Sequence, residues 1–291
     1  PKLLEIAATY DGILTTVSEK ITSELLADSS LQIISNYAVG LDNIDFAAAQ
    51  QKGITVYNTP DVVTESTADM TFALLLAFVR KIRAAQDFVS SNEWKAWDPE
   101  LFLGEELFGK TIGIIGLGKI GKAVARRAIG FGMQVVYYNR STKRIDGPFI
   151  DSCVRQVDFA SLLAQSDYIS LHLPLTPETK NLIGKKEFVQ MKKQPILLNL
   201  ARGGVVNTDD LVEALRNGLI RGACLDVTYP EPLSASHPLC QLDNCLIVPH
   251  IGTATRECRY AMAKLAAENI IRHFQGGSHG RENRRENQPG M

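Results

Sequence analysis

The sequence predicts an α/β protein in which a doubly wound parallel-sheet domain is inserted into a smaller domain. Three observations lead there. Short apolar, β-branched runs alternate with helix-period segments along most of the chain, the alternation that builds parallel sheets. A Gly116-x-Gly118-x-x-Gly121 turn joins one such run to one such helix. The length, 291 residues, exceeds what one core usually fills, so two domains are expected. The boundaries are read as 1–62 with 257–291 for the smaller domain, and 63–256 for the larger.

The elements follow in order. Gly12 to Thr16 reads as a strand and Ser18 to Ala27 as a helix. Leu31 to Ser35 is a second strand. Asp45 to Gln51 is a helix closed by Gly53, a usual residue past a helix end. Ile54 to Tyr57 is a third strand. Asn58-Thr59-Pro60-Asp61 is a turn cluster and a boundary. One long helix then runs from Thr64 or Ser66 to about Arg83. It is apolar almost all round in its middle and should be buried. Ser90 to Gly109 carries Trp94 and Trp97 and is less regular. From Thr111, strands are expected at Thr111–Ile115, Gln134–Tyr138, Tyr168–Leu171, Ile196–Asn199, Ala223–Val227 and Leu246–Val248. These make a six-stranded sheet with crossover helices such as Phe159–Gln165. Thr208 is read as the N-cap of a helix closing at Gly218. A last helix spans Thr255 to Phe274. The polar tail beyond Gly276 reads as disordered.

Composition narrows the function classes. The net charge is -1, which argues for neither nucleic acid nor an anionic membrane as partner. No apolar run approaches the ~18 residues of a membrane span, and no signal peptide is visible. A cytoplasmic protein is expected. The chain begins at Pro1, so its start reads as incomplete. Cys153, Cys224, Cys240, Cys245 and Cys258 are scattered without a CxxC pair. Neither a disulfide framework nor a metal site is indicated, and small buried or half-buried thiols are expected.

The glycine turn carries the first chemistry. Strand, glycines and helix together are the context that a dinucleotide-binding (Rossmann) fingerprint requires. Gly116 permits the tight turn, Gly118 lets backbone approach a pyrophosphate, and Gly121 lets the helix pack on the strand. Lys119 and Ile120 open that helix, whose free N–H groups favour an anion. An NAD site places Asp or Glu about 20 residues past the glycines, on the ribose. Here that residue is Asn139, followed by Arg140, Ser141, Thr142, Lys143 and Arg144. A carboxylate would repel a 2′-phosphate. Asn139 does not, and Arg140 can pair with it. NADP(H) is therefore expected over NAD(H), which stays possible.

Three polar residues stand at or just past predicted strand ends, where open α/β sheets bind ligands. They are Arg202 in Ala201-Arg202-Gly203-Gly204, Glu231 in Tyr229-Pro230-Glu231-Pro232, and His250 in Pro249-His250-Ile251-Gly252. Singly, such a histidine is more often structural and such an arginine a surface ion pair. Jointly, beside a cofactor turn, they read as a site.

With these motifs the chain resembles the D-isomer-specific 2-hydroxyacid dehydrogenases, and among them the glyoxylate/hydroxypyruvate reductases. Asn36-Tyr37-Ala38-Val39-Gly40-Leu41-Asp42 and Asp226-x-x-x-Pro230-Glu231-Pro232 complete the resemblance, which runs to about Gly276. It implies a Rossmann domain inserted into a flavodoxin-like substrate domain. That substrate domain reads as N-terminally truncated, because the family opens with a further strand and helix. It implies a small 2-oxo or 2-hydroxy acid as substrate, with His250 as proton donor, Glu231 orienting it, and Arg202 on the substrate carboxylate. Backbone N–H groups of Val39 and Gly40 would grip the same carboxylate. Thr67, His172, Pro174, Asp226 and Gly252 would line the cofactor site. Trp97, with Trp94 as the competitor, would border the substrate from the arm of a neighbouring subunit, which implies a homodimer. Two rivals stand beside this reading: another D-2-hydroxyacid dehydrogenase, such as a phosphoglycerate type, and a dimeric cofactor-sensing corepressor. His237 is expected to be structural and His273 solvated.

Overall fold

A computed structural model describes residues 2–140 and 153–276. The polar tail beyond Gly276 and the segment from Ser141 to Ser152 lie outside the described residues. The chain forms two compact units, 1–63 with 255–291, and 64–254.

In the first unit, helix α1 (Lys2–Thr9) precedes strand β1 (Gly12–Thr15). Helix α2 (Ser23–Ala27), strand β2 (Ile33–Asn36), helix α3 (Phe46–Gln51) and strand β3 (Thr55–Tyr57) follow. The three strands form one parallel sheet in the order β1-β2-β3. Its core gathers Ile13, Ile21, Leu25, Leu26, Ile34, Ile44 and Ile54. Thr22 caps α2 and Asp45 caps α3, each accepting a backbone N–H three residues on, which satisfies donors a helix start leaves open. The helix expected from Ser18 therefore begins only at Ser23. Ile21 is held instead in a bridge to Ile44. The C-terminal helix Arg256–Phe274, capped by Thr255, packs on β2 and β1. His273 departs from the solvated expectation, packing edge-on to Tyr57 and Phe274.

The second unit opens with two helices where one was expected: α4 (Thr64–Val79) and α5 (Ile82–Ser90). Lys81 between them adopts a left-handed φ of 53°, which ends α4 without a glycine. The Val79 carbonyl accepts the Glu105 N–H at 3.1 Å, so a distant loop takes over the helix end. Next come β4 (Thr111–Ile115), α6 (Lys119–Gly130), β5 (Gln134–Tyr138), β6 (Val154–Gln156), α7 (Phe159–Gln165) and β7 (Tyr168–Leu171). Then follow α8 (Lys185–Gln190), β8 (Ile196–Asn199), α9 (Thr208–Arg216), β9 (Gly222–Leu225) and β10 (Cys245–Ile247).

Among the described residues the sheet has seven strands, not six, in the order β10-β9-β8-β7-β4-β5-β6. All its pairings are parallel. The chain steps outward from β4 to β6, then returns to β7 and steps the other way. That reversal puts a switch point between β4 and β7, where ligands of such sheets bind. Two apolar clusters flank the sheet, one with α4 and α6, the other with α7 to α9. The N-cap of α9 is Asn207, not Thr208. The Asn207 side chain accepts the Asp210 N–H, while the Thr208 hydroxyl donates to the Tyr229 carbonyl at 2.7 Å. Cys224 and Cys258 are buried, but Cys153 and Cys240 are exposed, against expectation.

Candidate active site

The glycine turn follows β4. Gly116 has φ 96°, and a Cβ there would lie 2.3 Å from the His172 carbonyl oxygen. A Cβ on Gly121 would lie 2.3 Å from the Gly116 carbonyl oxygen. Both positions accept only glycine for lack of space. Gly118 differs: nothing stands within 4 Å of its built Cβ. It caps α6 with no side-chain hydrogen bond. An open approach to an uncapped helix start fits a pyrophosphate. Lys119 is exposed, and Ile120 packs on the core.

Asn139, at the end of β5, accepts the Leu117 N–H on Oδ1 at 2.8 Å. Its side chain thus ties β5 to the glycine turn. Arg140 is exposed. Ser141, read as part of the same loop, lies outside the described residues. Across the switch point, His172 directly follows β7. Its Nε2 lies 2.7 Å from the Ser170 hydroxyl oxygen, and its Nδ1 is buried without a partner. Burial pushes its pKa down to about 3, so the ring is neutral. Pro174 is exposed, and its carbonyl accepts the Thr179 hydroxyl.

Three loops at the carboxyl ends of β8, β9 and β10 carry the other candidates. Arg202 is placed by Asn199, a buried residue closing β8. Asn199 donates to the Arg202 carbonyl at 2.9 Å and accepts the Ala201 N–H at 3.1 Å. A Cβ on Gly203 would sit 2.0 Å from the Thr228 carbonyl oxygen. The Arg202 loop therefore runs flush against the loop that leads to Glu231.

Asp226 follows β9 and is 3% exposed. Its carboxylate accepts the Ile251 N–H at 2.6 Å and the Gly252 N–H at 2.9 Å. Its carbonyl accepts the His250 N–H at 2.9 Å. Burial raises its pKa, against the pull of those two N–H donors and of His250. His250 itself has φ 53°, a costly backbone for a side-chain-bearing residue, held by this clamp. The Gly252 carbonyl accepts the Ser66 hydroxyl at 2.9 Å. Thr67, buried in α4, places its methyl 3.8 Å from a Cβ built on Gly252.

His250 Nδ1 lies 2.7 Å from Glu231 Oε1. The other Glu231 oxygen accepts the Thr228 N–H at 3.2 Å. Burial opposes ionisation of Glu231. The His250 hydrogen bond and charge, the Thr228 N–H and the Arg202 charge outweigh it and lower the pKa. A carboxylate, an imidazole and a guanidinium therefore act on one another at these strand ends. Such a set can orient a ring, move a proton and hold an anion.

The remaining candidates lie elsewhere. Val39 and Gly40 belong to the first unit, in the loop after β2. Trp97 is 79% exposed in the irregular stretch after α5. Asn199, Thr228 and Ser66 were not singled out from sequence. Asn199 left a trace there, as a polar residue closing the apolar run Ile196-Leu197-Leu198. Among the described residues, no group of three or more His, Cys, Asp or Glu could hold a metal ion. Among the same residues, no helix is long and apolar enough to cross a membrane.

A family profile described as the D-isomer specific 2-hydroxyacid dehydrogenase NAD binding domain matches residues 72–252. The chain belongs to this family. A glyoxylate reductase from Thermococcus litoralis is 49% identical over 279 residues, covering 94% of this chain and 83% of that protein. The crystal structure of the TT0316 protein from Thermus thermophilus is similar at TM-score 0.87 and 45% identity, covering 94% of this chain and 86% of that one. A D-lactate dehydrogenase from Aquifex aeolicus, solved with NAD and lactic acid, gives TM-score 0.86 at 30% identity, covering 96% and 87%. The dehydrogenase described here is thus an NAD(P)-dependent oxidoreductase that reduces a 2-oxo acid. Its nicotinamide-cofactor domain is the unit that holds the glycine turn, Asp226, Glu231 and His250.

Proposed function

We propose that this dehydrogenase reduces glyoxylate to glycolate and hydroxypyruvate to D-glycerate, with NADPH preferred over NADH. The observation that carries the chemistry is the His250–Glu231 pair at 2.7 Å, with the Arg202 charge acting on Glu231. The cofactor, when bound, supplies a hydride to C2 of the substrate. His250 Nε2 gives a proton to the oxygen that becomes negative there, and takes it back in the reverse direction. Glu231 accepts a hydrogen bond from Nδ1–H, so the ring presents its other nitrogen to the substrate. Arg202 binds the substrate carboxylate with its planar fork and polarises the carbonyl. The N–H groups of Val39 and Gly40 bind the same carboxylate.

The α6 start with Gly116, Gly118, Lys119, Ile120 and Gly121 would hold the pyrophosphate. Asn139, Arg140 and Ser141 would face the 2′-phosphate. Thr67, His172, Pro174, Asp226 and Gly252 complete the cofactor wall. For the cofactor preference the support is Asn139, where a carboxylate would repel that phosphate. The working assembly is a cytoplasmic homodimer in which Trp97 of one subunit borders the substrate of the other. The 49% identity to a glyoxylate reductase favours the substrate assignment over the phosphoglycerate type. The test is kcat/KM for glyoxylate with each cofactor. A higher value with NADPH is expected, and a higher value with NADH refutes the preference.

A further inference from the structure

Three consecutive carbonyls in the loop after β2 are held by other parts of the first unit. The Ala38 carbonyl accepts the Thr59 N–H at 2.9 Å. The Val39 carbonyl accepts the Asn58 Nδ2 at 2.8 Å. The Gly40 carbonyl accepts the Asn36 Nδ2 at 2.8 Å. These peptides are trans, so each N–H points opposite to its own carbonyl. The N–H groups of Val39, Gly40 and Leu41 are thereby turned away from Thr59, Asn58 and Asn36. Among the described residues they donate to nothing within the protein. Val39 is exposed, and Gly40 and Leu41 are half-buried.

The two asparagines are set firmly. Asn36 closes β2 and is 0% exposed. Its oxygen accepts the Thr15 hydroxyl at 2.9 Å and Asn43 Nδ2 at 3.3 Å. Its nitrogen donates to the Gly40 carbonyl and to Asn43 Oδ1 at 3.1 Å. Both donors and both acceptor sites of the amide are used, and turning the amide over would break its contacts to the Gly40 carbonyl and to Asn43, leaving only the Thr15 hydroxyl able to switch role. Asn43 is tied in turn to the Thr16 and Glu19 carbonyls. Asn58 is buried beside Asn269, which donates to the Asn58 carbonyl at 3.2 Å. A lysine could also donate to these carbonyls, but a buried unpaired charge is far more costly than a paired amide.

We propose that Asn58 and Asn36 are positioning residues for the substrate carboxylate: Asn58, through the Val39 carbonyl, keeps the Gly40 N–H aimed at it, and Asn36, through the Gly40 carbonyl, does the same for the Leu41 N–H. This rests on the reading of those N–H groups given above and deepens it. Carboxylate recognition in this unit then comes from neutral backbone donors, oriented by two buried amides and, for the Val39 N–H, by the Thr59 N–H on the Ala38 carbonyl. Leu41 supplies a third donor of the same kind.

Asn58→Asp and Asn58→Ala test it. The first keeps the size and puts an oxygen where the donor stood, and the second removes the contact. Five quantities are measured: kcat and KM for glyoxylate, Ki for oxamate, NADPH affinity and Tm. Oxamate carries the carboxylate but no reducible aldehyde. KM and Ki should rise together by about tenfold, equivalent to about 1.4 kcal/mol. The value of kcat should stay within about twofold, as for loss of an interaction made equally in ground and transition states. NADPH affinity should be unchanged. A folded variant with unchanged KM and Ki overturns the proposal. So does a fall in kcat and NADPH affinity in step with KM, which marks general damage. If neither variant folds, hydrogen exchange on the wild-type protein decides. Oxamate, added with NADP, should slow exchange across residues 37–42, and no protection there overturns the proposal. Wild-type protein that binds oxamate without turning over glyoxylate refutes the functional reading instead, and the oxamate Kd by calorimetry, wild type against variant, still tests Asn58.

Discussion

The Asp226 carboxylate accepts the Gly252 N–H at 2.9 Å, so close that a Cβ on residue 252 would lie 2.7 Å from the same oxygen. This contact holds the turn that carries His250. Gly252→Ala should push Asp226 aside, loosen the His250 backbone and lower stability by about 1–3 kcal/mol, the range for overpacking. Urea unfolding and kcat/KM for glyoxylate, measured together, check this. A variant as stable and active as wild type would show that the clamp is not needed.

Glu231 holds His250 from the other side. Glu231→Gln keeps the shape and removes the charge. The amide can still accept from Nδ1, or can donate and select the wrong tautomer. Reduction of glyoxylate should slow by about 10²-fold, within the range of acid–base catalysis. NADPH affinity should hold. Equal losses in cofactor affinity and turnover would place Glu231 in the fold and not in the proton path.

Asn139 accepts from the Leu117 N–H, and Asn139→Asp keeps that acceptor. The variant adds a negative charge where a 2′-phosphate would bind. NADPH affinity should fall by about tenfold or more, and NADH affinity should hold or rise. Titration of both cofactors into the protein, followed by fluorescence, reads the ratio. An unchanged ratio would remove Asn139 from cofactor choice.

His172 gives the pH dependence. Its pKa in the fold is pushed down to about 3 by burial, while in the unfolded chain it is about 6.5. Between these values the unfolded state binds a proton that the folded state refuses. The stabilisation is therefore whole above about 6.5 and declines as pH falls, by about 1.4 kcal/mol per unit. His172→Gln removes this titration and keeps a group able to pair with Ser170. Urea midpoints at neutral and mildly acidic pH should lie closer together in the variant. Parallel pH slopes in variant and wild type would contradict the assignment.

The sheet, the glycine turn and the strand-end residues were legible because each leaves a local signature. The period changes at Gly116, and Arg202, Glu231 and His250 each interrupt apolar or proline-rich runs. Strand β6 left no such mark. It has three residues, two of them exposed, and among the described residues it pairs only with β5. The break at Lys81 involves neither glycine nor proline. It became visible only with Glu105 on the Val79 carbonyl. The α9 cap was misplaced by one residue because Asn207 and Thr208 can both cap. The choice was made by Tyr229, distant in sequence, which takes the Thr208 hydroxyl. Asn36 and Asn58 stand in recognisable motifs. Their work on two carbonyls depends on where β3 and its following loop settle, which no local pattern records.

His250→Gln tests the account most directly. The glutamine fills a similar space and cannot supply a proton at neutral pH. NADPH affinity should match wild type, while kcat/KM for glyoxylate should fall by about 10²–10⁴-fold, the range for losing a general acid. A His250→Gln protein that reduces glyoxylate within about tenfold of wild type would show that the proton comes from elsewhere.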